Sequence, residues 1–260
     1  MSNIVHSVLT RLEQRKNRSQ LVRLQRFVPG NVRMLGWDLD YVDSHALWSC
    51  IDVLVYKRWN DFVTTKKAPV ILDCGANVGI SVLNYKRMYP DARITAFEPD
   101  PAIVKVLKRN LAANDAGDVT IIEAAVWTQG GTTAFFAEGA DGSRIITDQL
   151  ASSDRTVVET IDFADYITEP VDLIKMDIEG AEFEVIRHIG SRLNLVANMV
   201  IECHLNNDRV QEFADILAVL AAAGFNVSIN SYGAWRDLVH KPGKLPNEFD
   251  QYFLLAAWRS

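Results

Sequence analysis

The sequence predicts an α/β fold: a mostly parallel seven-stranded sheet with helices on both faces, entered through an N-terminal helical extension. Three observations carry this. From Val70 onward, short apolar runs alternate with amphipathic stretches, the pattern of strands and crossover helices in a parallel sheet. The run Val70–Cys74 is continuous rather than alternating, which suits a strand buried on both faces, and it enters a turn carrying Gly75 and Gly79. Acids recur at the ends of such runs, at Asp73, Glu98 and Asp177, on the edge where open α/β sheets bind ligands. The expected division is an extension over 1–66 and a main domain over 67–260.

With 260 residues and 48% hydrophobic content, the chain has room for one large domain plus an appendage. A formal charge of −6 gives no general basis for binding nucleic acid. The three cysteines, Cys50, Cys74 and Cys203, are odd in number and far apart. They argue against a disulfide framework and for a reducing compartment. Cys74 beside the turn reads as a small packing residue rather than a reactive thiol. No apolar run approaches a membrane span, and the arginine-dotted start does not resemble a secretory signal. The expected location is cytoplasmic.

Residues 1–28 stand apart, with six basic side chains (Arg11, Arg15, Lys16, Arg18, Arg23, Arg26) against Glu13. Ile4, Val5, Val8, Leu9 and Leu12 share a face at helical spacing, as do Leu21, Leu24 and Val28. Such a helix can rest on an anionic membrane surface, on a second subunit or on its own domain with the arginines in water. Pro29-Gly30-Asn31 breaks the segment, and Ala46–Phe62 is predicted as a helix. Tyr41, Trp48, Tyr56 and Trp59 supply either a lid or ordinary core. Lys66–Pro69 leads into the main domain.

The turn after Val70–Cys74 narrows the ligand. Gly75 and Gly79 fall where a Cβ would block a ligand or the next helix, and the helix-start N–H groups are expected to face the crevice unpaired. A dinucleotide fingerprint would need glycines at 77 and 80, where Asn77 and Ile80 stand. No Lys-Ser/Thr follows for a phosphate loop. Acid-x-Gly-x-x-x-Gly suits a ligand with an amino-acid portion and no pyrophosphate, and S-adenosylmethionine fits. Arg93–Phe97 is the next strand and ends in Glu98-Pro99, an acid spaced to accept ribose hydroxyls. A solvated acid before a proline is the bland alternative for a lone Glu; the turn upstream favours the ribose.

Pro101–Ala113 reads as a helix with proline in its first turn, and Val119–Glu123 as the third strand. The small residues Ala124, Ala125 and Val126 would let an adenine slide against the backbone, with the Val126 N–H facing a ring nitrogen. Thr132–Ala137 and Val157–Ile161 read as extra strands around a Gly-rich loop, where Ser143 and Arg144 are candidate substrate contacts. Val171–Met176 is a buried strand ending in Asp177, followed by a glycine turn and a helix through His188. Asn198–His204 brings Glu202 and His204 to the same edge. A helix over Asp208–Ala223 and strands over Phe225–Asn230 and Gln251–Trp258 complete the chain, the last strand antiparallel.

Asp73-Cys-Gly-Ala-Asn-Val-Gly79, Phe97-Glu-Pro-Asp-Pro101 and Ile174-Lys-Met-Asp-Ile-Glu-Gly-Ala-Glu182, in that order, resemble the FkbM family of S-adenosylmethionine-dependent methyltransferases over roughly residues 65–205. The resemblance implies a class I methyltransferase fold of Rossmann-like type. It also implies O-methylation, typically of sugars or secondary-metabolite hydroxyls. By the same resemblance the turn Asp73, Gly75, Ala76, Asn77, Gly79 holds the methionine end and Glu98 the ribose.

Methyl transfer to a hydroxyl needs an aligned acceptor, a dry site and somewhere for the proton to go. The candidates on this edge are Asp177, Glu179 and His204, with Glu182 and Glu202 as further acids near the substrate. Asp177 is also placed to bind the cofactor's amino end or to orient the acceptor. His204 is the imidazole at a strand end, set against the alternative of a hydrogen-bonded structural histidine. No metal is assigned. Two other readings stand beside this one, a catalytically silent module that keeps the fold and a nicotinamide-dependent oxidoreductase. The acceptor is read as a small molecule or glycan, and the assembly as monomer or homodimer.

Overall fold

A computed structural model describes residues 2–136, 144–145, 155–205, 209–232 and 251–259. Helix α1 (Ser2–Val22) opens the chain and packs its Asn17 and Leu21 side inward. Asn17 Nδ2 donates to the Tyr56 hydroxyl at 2.8 Å, and Gln14 Nε2 to Asp52 at 2.7 Å, so part of the basic segment rests on its own domain. Leu12, Leu24, Phe27 and Val28 stay exposed.

The extension also contains a hairpin that the sequence reading did not resolve. Strands β1 (Gly30–Met34) and β2 (Trp37–Tyr41) pair antiparallel. Leu35 and Gly36, both at positive φ (58° and 84°), form the two-residue turn that matches strand twist. The free edge of β2 is covered by side chains. Asn110 exchanges hydrogen bonds with the Asp40 N–H (2.7 Å) and carbonyl (3.0 Å), and Asn114, one helical turn on, does the same for Asp38 at 2.9 Å each. Helix α2 (Ser44–Ile51) is capped by Asp43, whose carboxylate accepts from His45 N–H at 3.0 Å. It then widens into a single looser turn over Asp52–Tyr56. The expected helix to Phe62 therefore stops short, at Lys57 and the positive-φ Arg58. Tyr41, Trp48, Tyr56 and Trp59 join the core rather than a lid.

The central sheet contains β3 (Val70–Cys74), β4 (Arg93–Phe97), β5 (Thr120–Ile122), β10 (Leu173–Met176), β11 (Asn198–Leu205), β12 (Asn226–Tyr232) and β13 (Gln251–Trp258). Their order is β12-β13-β11-β10-β3-β4-β5, and only β13 runs antiparallel to its neighbours. Between β3 and β4 runs α3 (Ile80–Met88), and between β4 and β5 runs α4 (Pro101–Ala113). Helices α5 (Glu182–His188) and α6 (Val210–Ala222) follow β10 and β11. Successive residues of β3 face opposite cores. Ile71 packs with α3, α4 and the N-terminal hairpin, and Leu72 with α5 and α6. That explains the unbroken apolar run, each such side chain contributing about 1.5–3 kcal/mol on burial.

The extra strands expected after residue 127 are present as a second sheet. Strand β6 (Ala125–Trp127) pairs parallel with β9 (Arg155–Asp162), which pairs antiparallel with β7 (Gly131–Phe136), and β7 pairs with the short β8 (Arg144–Ile145). Ser143 lies outside the described residues, and for Arg144 the strand backbone alone is described. No helix among the described residues is long and apolar enough to cross a membrane.

Candidate active site

The carboxyl edge of β3, β4, β10 and β11 gathers almost all of the predicted polar residues. Its first side is built by the turn after β3. Gly75 and Gly79 have φ of 79° and 94°, and Asn77 has 48°. A Cβ on Gly75 would collide with the Asp177 main-chain carbonyl, and one on Gly79 would sit 2.8 Å from Leu107 Cδ1. Gly75 is thus required by the end of the neighbouring strand, and Gly79 by α4.

The N–H groups of the turn itself, ahead of the helix start, are engaged. Gly75 and Ala76 N–H both donate to the Phe97 carbonyl at 3.0 Å, and Gly79 N–H to the Ala76 carbonyl at 2.9 Å. Asn77 N–H donates to Glu98 Oε2 at 3.0 Å, and Val78 N–H to Asn77 Oδ1 at 2.7 Å. Asp73, expected to help hold the cofactor, is fully buried at the end of β3. Its Oδ2 accepts from Ser81 Oγ at 2.5 Å, and its Oδ1 lies 3.6 Å from Lys175 Nζ. Burial raises its carboxyl, opposed by the Lys175 charge.

Glu98 is buried beneath the turn, its Oε1 accepting Asp100 N–H at 3.0 Å. Burial, against the N–H bonds from Asp100 and Asn77, pushes its carboxyl up to about 7. Pro99 beside it is half-buried. Ala125 and Val126 are buried in β6, where their backbone serves the second sheet and the Val126 side chain packs with Phe97.

Lys175 escaped the sequence reading. The register of β10 against β3 puts it opposite Asp73. Its ammonium donates to the Gly75 carbonyl at 2.6 Å and lies 3.5 Å from Asp177 Oδ2. Burial alone would lower it, but the carboxylates of Asp177, Asp73 and Glu202 outweigh that and hold it above the ordinary lysine range. A signal was available: a lysine inside Leu-Ile-Lys-Met needs buried carboxylate partners.

The second side is built by the turn after β10 and by β11. His204 is buried, with Nδ1 3.0 Å from Glu182 Oε1 and Nε2 3.1 Å from Glu179 Oε2. Asp177 Oδ1 and Glu202 Oε1 are each 4.0 Å from Nε2. Burial would favour a neutral ring; the charges of Glu182 and Glu179 overrule it and hold the imidazole well above its usual value. Burial likewise raises Glu179. Glu182, expected near the substrate, is fully buried and turned toward the protein, so it is withdrawn from that role. Asp177, Glu179 and His204 each offer a ligand atom within 4.8 Å of the others, a set whose chemistry also suits a divalent cation.

An open seven-stranded sheet with one antiparallel strand, and a glycine turn and acids at its carboxyl edge, defines the class I S-adenosylmethionine-dependent methyltransferase fold. Solved structures share it. M. jannaschii TYW2, determined in complex with AdoMet, superimposes with a TM-score of 0.51 at 12% identity over 91% of this chain and 89% of that one. P. horikoshii TYW2 gives 0.50 at 16% identity over 91% and 74%. The sequence profile of the methyltransferase FkbM domain matches residues 73–227, and the chain belongs to that family. Among curated relatives, methyltransferase sdnD of Sordaria araneosa is 30% identical over 178 residues, 55% of this chain and 69% of that protein. The 2-O-methyltransferase NoeI of Sinorhizobium fredii is 30% identical over 141 residues, 46% and 57%.

The family's methyl donor is S-adenosylmethionine, and the residues present fit it. Each Glu98 oxygen accepts one N–H and keeps a lone pair for a ribose hydroxyl. Asp177 Oδ1 is buried at the edge with no hydrogen-bond partner among the described residues, an acceptor suited to an ammonium group.

Proposed function

We propose that this protein methylates a hydroxyl oxygen of a small molecule or glycan, a sugar or a secondary metabolite. The observation that carries the reading is the imidazole of His204 at the cofactor edge, its Nε2 turned toward Asp177 and Glu179. When bound, S-adenosylmethionine supplies an electrophilic methyl on a cationic sulfonium. Glu98 holds the ribose hydroxyls and Asp177 the amino end. The buried walls of β3, β10 and β11 exclude water from the line of attack. The acceptor's proton passes to His204, with Glu179 stabilising the imidazolium so formed. His204 does this only when its ring is neutral, so the carboxylates that hold its proton set the acidic limb of turnover above the ordinary imidazole value. Glu202 faces the same space and is a candidate acceptor contact, as are Ser143 and Arg144. The name of NoeI, a 2-O-methyltransferase, supports oxygen as the nucleophile.

The test is calorimetric titration with S-adenosylhomocysteine against NADH, followed by labelled methyl transfer to a panel of hydroxylated acceptors. Binding of the first ligand only, with label on an acceptor oxygen, is expected. His204→Gln should keep S-adenosylhomocysteine affinity and lose about 10²–10⁴-fold in turnover. Binding without turnover on any acceptor would mark a silent module, and full activity in His204→Gln would remove this base.

A further inference from the structure

We propose that Glu182 is a positioning residue, fixing the tautomer and orientation of His204 for the transfer; this rests on His204 taking the acceptor's proton. The first turn of a helix favours acids anyway, but such a glutamate is ordinarily solvated. Glu182 is fully buried instead, and the chain is wrapped around it. Its Oε1 accepts Ile178 N–H at 3.1 Å, and Gly180 N–H lies 3.1 and 3.0 Å from its two oxygens. Glu179 and Gly180 adopt φ of 54° and 99° to make this possible. The third partner is His204 Nδ1, 3.0 Å from Oε1.

An ionised carboxylate only accepts, so Nδ1 must carry the hydrogen and Nε2 is the nitrogen left for exchange. One carboxylate therefore ties the turn bearing Asp177 and Glu179 to the ring that they face. Among the described residues, the charged groups facing the imidazole are Glu182 from α5, Asp177 and Glu179 from the turn, and Glu202 from its own strand. Lys175 is held on the other oxygen of Asp177. Glu182 is thus the buried member of this set, held in place by backbone donors.

The experiment is the pH dependence of turnover for wild type, Glu182→Gln, Glu182→Asp and His204→Gln, with melting temperature and S-adenosylhomocysteine affinity measured alongside. Removing the charge in Glu182→Gln should move the acidic limb down by about one pH unit or more. Because the base is then weaker, the plateau should fall about tenfold. Glu182→Asp keeps the charge but not the reach, so its limb should stay high while its plateau falls. A plateau that falls in Glu182→Gln with no movement of the limb would mean a merely structural role and overturn the proposal. A wild-type limb surviving in His204→Gln would instead overturn the assignment of His204 as base. Should Glu182→Gln not fold, nitrogen-15 spectra of the wild-type imidazole decide. A neutral ring protonated at Nδ1 supports the proposal, and one protonated at Nε2 overturns it.

Discussion

Around β3 and β4 the crevice is shaped by backbone, and around β10 and β11 by charge. On the first side, five consecutive N–H groups from Gly75 to Gly79 are paired within the turn and the adjoining end of β4. On the second, four carboxylates surround one imidazole. A cofactor shared by a whole family can be met by a fixed backbone mould. A proton acceptor must be tuned, and tuning comes from buried charges whose separation decides the effect. Lys175 joins the two sides, pairing with Asp73 on one and Asp177 on the other.

That junction offers the largest expected effect. Lys175→Met leaves the buried Asp73 carboxylate and the partly exposed Asp177 without their cation and should cost about 3 kcal/mol in urea unfolding at neutral pH. The loss should shrink in acid, where the carboxylates protonate. An unchanged midpoint would show that the two sides do not depend on a common charge.

Glu98 sharpens the comparison from the backbone side. Its folded value, about 7, lies above the usual 4.5, so the protein binds this proton more tightly when folded. The stability this brings is full below pH 4.5 and is lost as pH rises through 7, a fall of about 3 kcal/mol. Glu98→Gln should flatten that part of the stability profile. In wild type, S-adenosylhomocysteine should bind more tightly as pH rises through the same range, because the ionised carboxylate accepts both ribose hydroxyls. Affinity independent of pH would separate Glu98 from the ribose.

The smallest of these effects compares the two glycines. Gly75→Ala meets a backbone carbonyl at positive φ and should destabilise by about 2–3 kcal/mol. Gly79→Ala carries the same positive-φ strain but meets a side chain, Leu107, rather than backbone, and should cost less, about 1–2 kcal/mol. Equal costs by thermal melting would mean that the contact between β3 and the end of β10 is not what demands Gly75.

Much of this molecule was legible along the chain. The alternation after Val70, the continuous apolar strands, the glycine turn and the acids at strand ends are local patterns set by periodicity and turn geometry, and the sheet follows from them. The β1–β2 hairpin is written in Val32, Met34, Trp37, Leu39 and Tyr41 alternating around Leu35-Gly36, but its strands are five residues each and its turn lacks the Asn-Gly or Asp-Gly pair that marks such hairpins.

The sequence by itself determined the fold class, the family and the edge on which the site lies, because each depends on residues close together in the chain. Only the tertiary structure decided which of those residues face the crevice. It set Asp73 against Ser81 and Lys175, paired the N–H groups of the turn from Gly75 to Gly79, and buried Glu182 behind His204. Lateral register and burial set these outcomes. They place Lys175 against Asp73 and His204 against Glu182 across separate elements, and a charge is stabilised there only by partners that the folded sheet brings alongside.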